Sequence, residues 1–396
     1  MGVRRRPWLA VQPTVADVLR DVQTQTVDAE DVWVSAYVAP RSVHGTLRCE
    51  RGRTGAILAA TPGRAATWHV QATAKPDVWG VSVEGDVEMS TQVHVPRVQR
   101  AWEAGAQAPT VIDLQGSAAG TERWAVGGAD GHLYVGEWHG GASAPAVPSI
   151  ACAGHVGDVT SVRFFPSGEV LLSTSLDMRA RVFSAIDGSC PRILEGHTRA
   201  IVGSAILGRG RHVATGSADH TVRVWDVGRG AAVQQWERDE PVTALAAYGA
   251  AGWTPEAPAG ALLAGGAHGV HAWDVRAAPQ EAWACTLPAP AGGVSALCAY
   301  ETHVLVGSRH GLVAMFDARA PATPLDAWSR SDAGVTDVWV DAQGALIATG
   351  DGLPYAVQGE AVQELVGWDA APTSAVRRDA HAHILVAGPG AWAWYA

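Results

Sequence analysis

Apolar and polar residues alternate in short runs along most of this chain, separated by turns rich in Gly, Asp, Ser and His. Residues 216–226 (GSADHTVRVWD) are the clearest case: Gly216-Ser217 ends one strand, Ala218-Asp219-His220 form a tight turn, and Thr221-Val222-Arg223-Val224 begin a second strand closed by Trp225-Asp226. Alternation with a period of two, bounded by turn residues, predicts a hairpin. Residues 173–184, 262–276 and 304–319 repeat the strand, turn, strand pattern, and the aromatic that closes the second strand recurs as Phe183, Trp225, Trp273 and Phe316, at spacings of 42, 48 and 43 residues. Weaker copies at 124–138, 346–357 and 384–395 bring the number of units to seven.

A repeat of this length, with four short strands to a unit, predicts an all-β, seven-bladed β-propeller. Each unit is a sheet that cannot bury both its faces alone, so units must stack around an axis. In the best unit, His197, Asp219, a hydroxyl (Thr215 or Ser217) and Trp225 are placed to form a buried hydrogen-bond chain between the loop entering the blade, the turn and the third strand. The unit before it keeps His155 and Asp177 but carries Phe183, which lacks an indole N–H, so its chain must stop short. The Gly-His pairs at 154–155 and 196–197, with Trp225-Asp226 closing a strand, resemble the WD-repeat family over residues 110–396. The sequence ends after a third strand, so the last blade needs a fourth from elsewhere; the alternating stretch 86–95 (DVEMSTQVHV) is the candidate closing strand.

Residues 1–85 lack the repeat. Val32–Val38 (VWVSAYV), 55–60 and 67–72 read as strands and 13–22 as a short helix, predicting a small, mainly β N-terminal domain before a propeller over 86–396. An eccentric eighth blade is the other arrangement compatible with this stretch. Residues 250–260 read as a surface loop within one blade.

Charge sharpens the picture. The chain has 396 residues and a formal net charge of −10, but the first hundred residues hold 12 Lys and Arg against 10 Asp and Glu, and the remainder 17 against 29. An acidic propeller disfavours nucleic acid and favours a basic protein surface. No run approaches the roughly 18 apolar residues of a membrane helix, and Pro7 and Pro13 bracket too short an apolar stretch for a signal peptide, so an intracellular setting is expected. Five scattered cysteines without a CxxC pair argue against a disulfide framework or a cysteine zinc site. Phosphate-loop, HExxH and GxSxG motifs are absent from the sequence. Cys152 with His155, and His381 with His383, are only partial metal sites. The expectation is a protein without catalytic activity, metal or cofactor.

Residues 154–230 carry more specific features: Arg163-Phe164-Phe165-Pro166-Ser167-Gly168, Asp187-Gly188-Ser189-Cys190 and Gly208-Arg209-Gly210-Arg211. In these the chain resembles the proteasomal ATPase-associated factor family, WD-repeat chaperones of proteasome regulatory-particle assembly. The resemblance implies a non-catalytic chaperone, monomeric when free, that binds the C-terminal domain of a base AAA ATPase subunit alongside other base assembly factors, in the cytoplasm and also the nucleus, without nucleic acid or membrane. The contacts are expected on the loops entering the blades and on the turns, with Asp158, Arg199, Asp239, Glu240, Asp332 and Asp369 as candidates and Trp236 or Trp368 as an aromatic anchor. A second resemblance, Leu262-Leu263-Ala264-Gly265-Gly266 followed by Trp273-Asp274-Val275-Arg276, is to WD-repeat substrate receptors of cullin ubiquitin ligases, although His268 stands where that box carries an acid. Another WD-repeat scaffold, or an enzyme using the central funnel, are the remaining alternatives.

Overall fold

The structure, a computed structural model, describes all residues except 1–2, 53–55, 61–65, 76, 102–108, 117–120, 140–149, 249–260, 276–280, 289–290, 369–371, 380, 390 and 396. The repeats form seven four-stranded antiparallel blades. Their innermost strands are Pro109–Gly116, Val159–Phe164, Ile201–Leu207, Ala244–Tyr248, Val294–Tyr300, Val335–Asp341 and Ala375–Arg378, opening blades 1 to 7 in turn. Each innermost strand packs on the next, and the seventh packs on the first, so the ring is closed. Second strands such as Ala261–Gly265 and Ile384–Gly388 are buried along their whole length, because neighbouring blades cover both faces. They read as continuous apolar runs for that reason. Outer strands are freer: Ala231–Glu237, the last strand of blade 3, is mostly exposed.

Blade spacing depends on a glycine near the end of the second strand. A Cβ on Gly127, Gly265 or Gly307 would run into the valine that opens the next blade, respectively Val159, Val294 and Val335. The last blade is closed by Val98–Ala101, antiparallel to Ala391–Tyr395 with Trp394 opposite Val98. The expected closing stretch, 86–95, does something else. Its strand Met89–His94 forms a hairpin with Val78–Gly85 and then pairs in parallel with Ala361–Leu365, the outer strand of blade 6. Alternation shows that a segment is a strand and cannot show which edge it will find; Pro96 ends this strand and frees the next four-residue strand for blade 7.

The N-terminal residues form a four-stranded antiparallel sheet, Trp8–Val11, Ala29–Val38, Arg41–Arg51 and Ala56–Ala60 in that order, covered by the helix Val15–Thr24. The helix buries Val15, Ala16, Val18, Leu19 and Val22 on one face. This sheet lies outside the closed ring and is not an eighth blade. It is fastened to the propeller twice: by Met89–His94 on blade 6, and by Arg4–Arg5, which pair in parallel with Asp326–Ser329, the outer strand of blade 5. Two outer edges are thereby covered, which removes the hazard of open strands. The basic cluster at the start serves this docking. Arg4 and Arg6 bind Asp326 at 2.7 and 3.1 Å, and Arg6 lies 4.9 Å from the Trp328 ring.

Candidate interaction surface

The loops that enter the blades and the turns between second and third strands share one face of the disc. Two blades hold these loops by matching networks. In blade 3 the chain of donors has a direction: Trp225 Nε1–H donates to Thr215 Oγ1 at 2.8 Å, Thr215 donates to His197 Nε2 at 2.8 Å, and His197 Nδ1–H donates to Asp219 at 2.8 Å. Ser217 is not a link in this chain; its hydroxyl lies 2.9 Å from the Ala200 carbonyl and accepts from the Asp219 amide. Burial works to raise the Asp219 carboxyl, but hydrogen bonds from Thr221, the Thr198 amide and His197 overcome it and hold it at about 2. Burial lowers His197, outweighing the opposite pull of Asp219, so the imidazole is neutral. Blade 2 repeats the arrangement with His155, Asp177 and Ser173, and stops there: Phe183 meets His155 edge-on, with centroids 6.2 Å apart, and has no proton to give.

Blade 4 reverses the roles. Arg238 stands at the entering-loop position of His155 and His197, 5.9 Å over the Trp273 ring, and Glu240, two residues on, accepts from Arg238 at 3.0 Å, the Ala267 amide at 3.0 Å and His268 Nδ1 at 2.8 Å. It is therefore a structural brace for its own turn and not a free contact residue. Its neighbour Asp239 is exposed. Arg199 is also exposed, and Asp158 is half-buried with its carbonyl accepting from the Leu176 amide. Asp332 is engaged by Arg5 at 3.0 Å. Asp369 and Arg276 lie outside the described residues. The two proposed aromatic anchors are buried: Trp236 is 3% exposed and faces Trp273 of blade 4, and Trp368 is 4% exposed in the core between blades 6 and 7. Outer-strand and loop tryptophans face the neighbouring blade here, and sequence position alone does not tell that face from the solvent face.

The face also exposes aliphatic side chains. Val156 is 85% exposed, Leu176 47% and Met178 44%, and all three sit on the entering loop and turn of blade 2. In blade 3, on the same scaffold, the matching positions are Thr198, Ala218 and His220; Met178 and His220 even share a positive φ, 67° and 69°. The fold thus does not require apolar side chains there. Aligning the two best repeats position by position would have picked them out of the sequence.

The axis carries a second regularity that repeat comparison could have revealed. Near the start of the innermost strands, Thr110, Thr160, Thr243, Ser295 and Thr336 each donate to a backbone carbonyl of the next blade, those of Val159, Ile201, Val294, Val335 and Thr373, at 2.6–2.7 Å. A recurring apolar-hydroxyl pair at the start of the unit is its signature. Deeper in this funnel, of about 200 Å³, Arg377 binds Asp337 and lies 3.7 Å from Asp113, which also faces Arg163 at 3.6 Å. These charges neutralise one another. Elsewhere, both ring nitrogens of His155 are occupied, and His383 is held by Asp379 at 2.7 Å. Among the described residues no group of three or more His, Cys, Asp or Glu is arranged to hold a metal ion, and no helix is long and apolar enough to cross a membrane.

Comparison with known proteins agrees with this architecture. Residues 147–184 and 188–226 match the family described as WD domain, G-beta repeat. The chain is 44% identical over 86 residues to the 26S proteasome regulatory subunit RPN14 of Saccharomyces cerevisiae, a match covering 22% of this chain and 21% of that protein. It is 33% identical over 94 residues to eukaryotic translation initiation factor 3 subunit I of the same species, covering 24% of this chain and 27% of the relative. In each case the match spans well under two thirds of the relative's length.

Proposed function

From a chain that is a seven-bladed WD-repeat β-propeller with a docked N-terminal domain, we propose a non-catalytic assembly factor of the proteasome regulatory particle, acting in the cytoplasm and nucleus. It holds the C-terminal domain of one base ATPase subunit against the loop face of blades 2 and 3. The observation that carries this reading is the exposed triplet Val156, Leu176 and Met178, on a blade whose twin has Thr, Ala and His at the same positions. Apolar side chains kept in water without a packing reason mark a contact surface. The partial relationship to a proteasome regulatory subunit supplies the partner class.

Charge plays a smaller part than the acidic composition suggests. Glu240, Asp326, Asp332, Asp337 and Glu364 are all engaged within the chain. Of the candidate acids, Asp239 and Asp158 are left to steer a basic partner, and such steering acts on the rate of encounter more than on affinity.

Titration calorimetry against the isolated C-terminal domains of the six base ATPases tests the proposal. One domain should bind selectively, and Leu176→Asp or Met178→Asp should weaken it at least about tenfold, the effect of losing an interface anchor. Binding to none of the six, or binding indifferent to both substitutions, would return the protein to the wider class of WD-repeat scaffolds.

A further inference from the structure

Blades diverge with distance from the axis, and blade 6 reaches unusually far because Met89–His94 extends its sheet. Between this enlarged sheet and blade 7 lies a cavity of about 420 Å³. Its wall joins three parts of the chain: Lys75 and His94 from the N-terminal region, Gln358 and Gln363 from the outer strands of blade 6, and Arg378 from blade 7. Among the described residues no carboxylate lines it. Asp341 binds one arm of Arg378 at 2.6 Å from outside the lining.

His94 is the telling residue. It is 8% exposed, its backbone is held by strands on both sides, and its Nε2 has no hydrogen-bond partner among the described residues. A buried polar atom without a partner costs about 1–3 kcal/mol, so it points to a ligand group opposite it. Burial and the Lys75 ammonium push this imidazole down to about 4. It is therefore neutral at pH 7, and Nε2 is a ring nitrogen left without a partner. Lys75 is also the only lysine of the chain, among 29 basic residues.

We propose that this cavity binds a small organic phosphate, with the Lys75 ammonium and Arg378 guanidinium on the phosphate, His94 Nε2–H donating to one of its oxygens, and the amides of Gln92, Gln358 and Gln363 taking the hydroxyls of the ester. The volume suits such a ligand, since small-molecule pockets start at about 300 Å³. Binding would tie the N-terminal region to blades 6 and 7, and the inference stands independently of any proteasomal partner.

The test is calorimetric titration of the full-length protein with glucose 6-phosphate, with inorganic phosphate and glucose as parallel probes. Saturable one-site binding of the ester is expected, tighter than that of inorganic phosphate, with no binding of glucose. Lys75→Met and His94→Ala should each weaken it at least tenfold. Lys75 is exposed, so its replacement leaves folding intact and keeps the test decisive even if the His94 variant is destabilised. Because the chain has one lysine, acylation of a single side chain reports occupancy, and saturating ester should protect Lys75 from it. The assignment is overturned by the absence of saturable binding of both phosphate probes, by inorganic phosphate binding as tightly as the ester, or by ester binding that Lys75→Met leaves unchanged.

Discussion

Single residues in this molecule are tuned by burial and by the direction of their hydrogen bonds. In blade 3 the chain from Trp225 to Asp219 runs in one direction, so removing a link leaves a neighbour poorly satisfied. Asp219→Ala strands the Thr198 amide and leaves the His197 Nδ1–H only Thr221 Oγ1 at 3.2 Å, and should cost about 2–3 kcal/mol by urea denaturation, whereas Trp225→Phe, which recreates the blade 2 arrangement, should cost nearer 1 kcal/mol. The acid limb of stability follows from the same groups. A histidine whose folded pKa lies below its unfolded value of about 6.5 takes up its proton less readily when folded, so stability falls as the pH drops below that value. For His94 the loss runs from about 6.5 down to its folded value of about 4. Asp219 acts later: its stabilising contribution is complete above its unfolded value of about 3.9 and is lost as pH falls through about 2. In His94→Gln the denaturation midpoint should change less between pH 6.5 and 4 than in the unmodified protein; parallel curves would remove His94 from this account.

At the scale of elements, the contacts that matter most are those where one blade meets the next. Gly307 sits against Val335, and a Cβ there would run into the branched side chains of Val335 and Val338. Gly307→Ala should therefore destabilise the protein by about 1–3 kcal/mol, the usual penalty for overpacking a filled interior. The closing strand Val98–Ala101 is short and holds the ring shut through four register pairs with the last strand. Gln99→Pro removes an amide from the middle of it, and a fall in stability of about 3 kcal/mol is expected, since proline interrupts a ladder as it does a helix. Loss of protection confined to the amides of Ala391–Tyr395 and Val98–Ala101 in hydrogen exchange would locate the damage to blade 7.

The whole molecule behaves as a disc with a bracket on its side. At the junction Arg330, 7% exposed, binds Glu364, 2% exposed, at 2.6 Å, and lies 4.0 Å over the Tyr355 ring. Glu364 also accepts from the Leu9 amide at 3.1 Å, so the N-terminal sheet and two blades meet at one buried ion pair. Burial pushes the Glu364 carboxyl up even with Arg330 beside it. Breaking such a pair leaves an uncompensated buried charge. Arg330→Met should lower stability by about 3–5 kcal/mol, and calorimetry should show the N-terminal part unfolding first and no longer with the propeller.

By itself the sequence determined the repeat, the number of blades and the blade 3 network. These are legible because they depend on local spacing: His197 to Asp219 and Phe183 to Trp225 are periodic facts. Only the tertiary structure decided which strand closes the ring, that Trp236 and Trp368 face neighbouring blades, that Glu240 braces its own turn, and that Met89–His94 joins blade 6 to shape a cavity around Lys75 and His94. Those outcomes depend on which edge or face each segment meets at long range. A strand's alternation is the same whichever edge it pairs with, and a tryptophan's composition is the same on either side of a sheet.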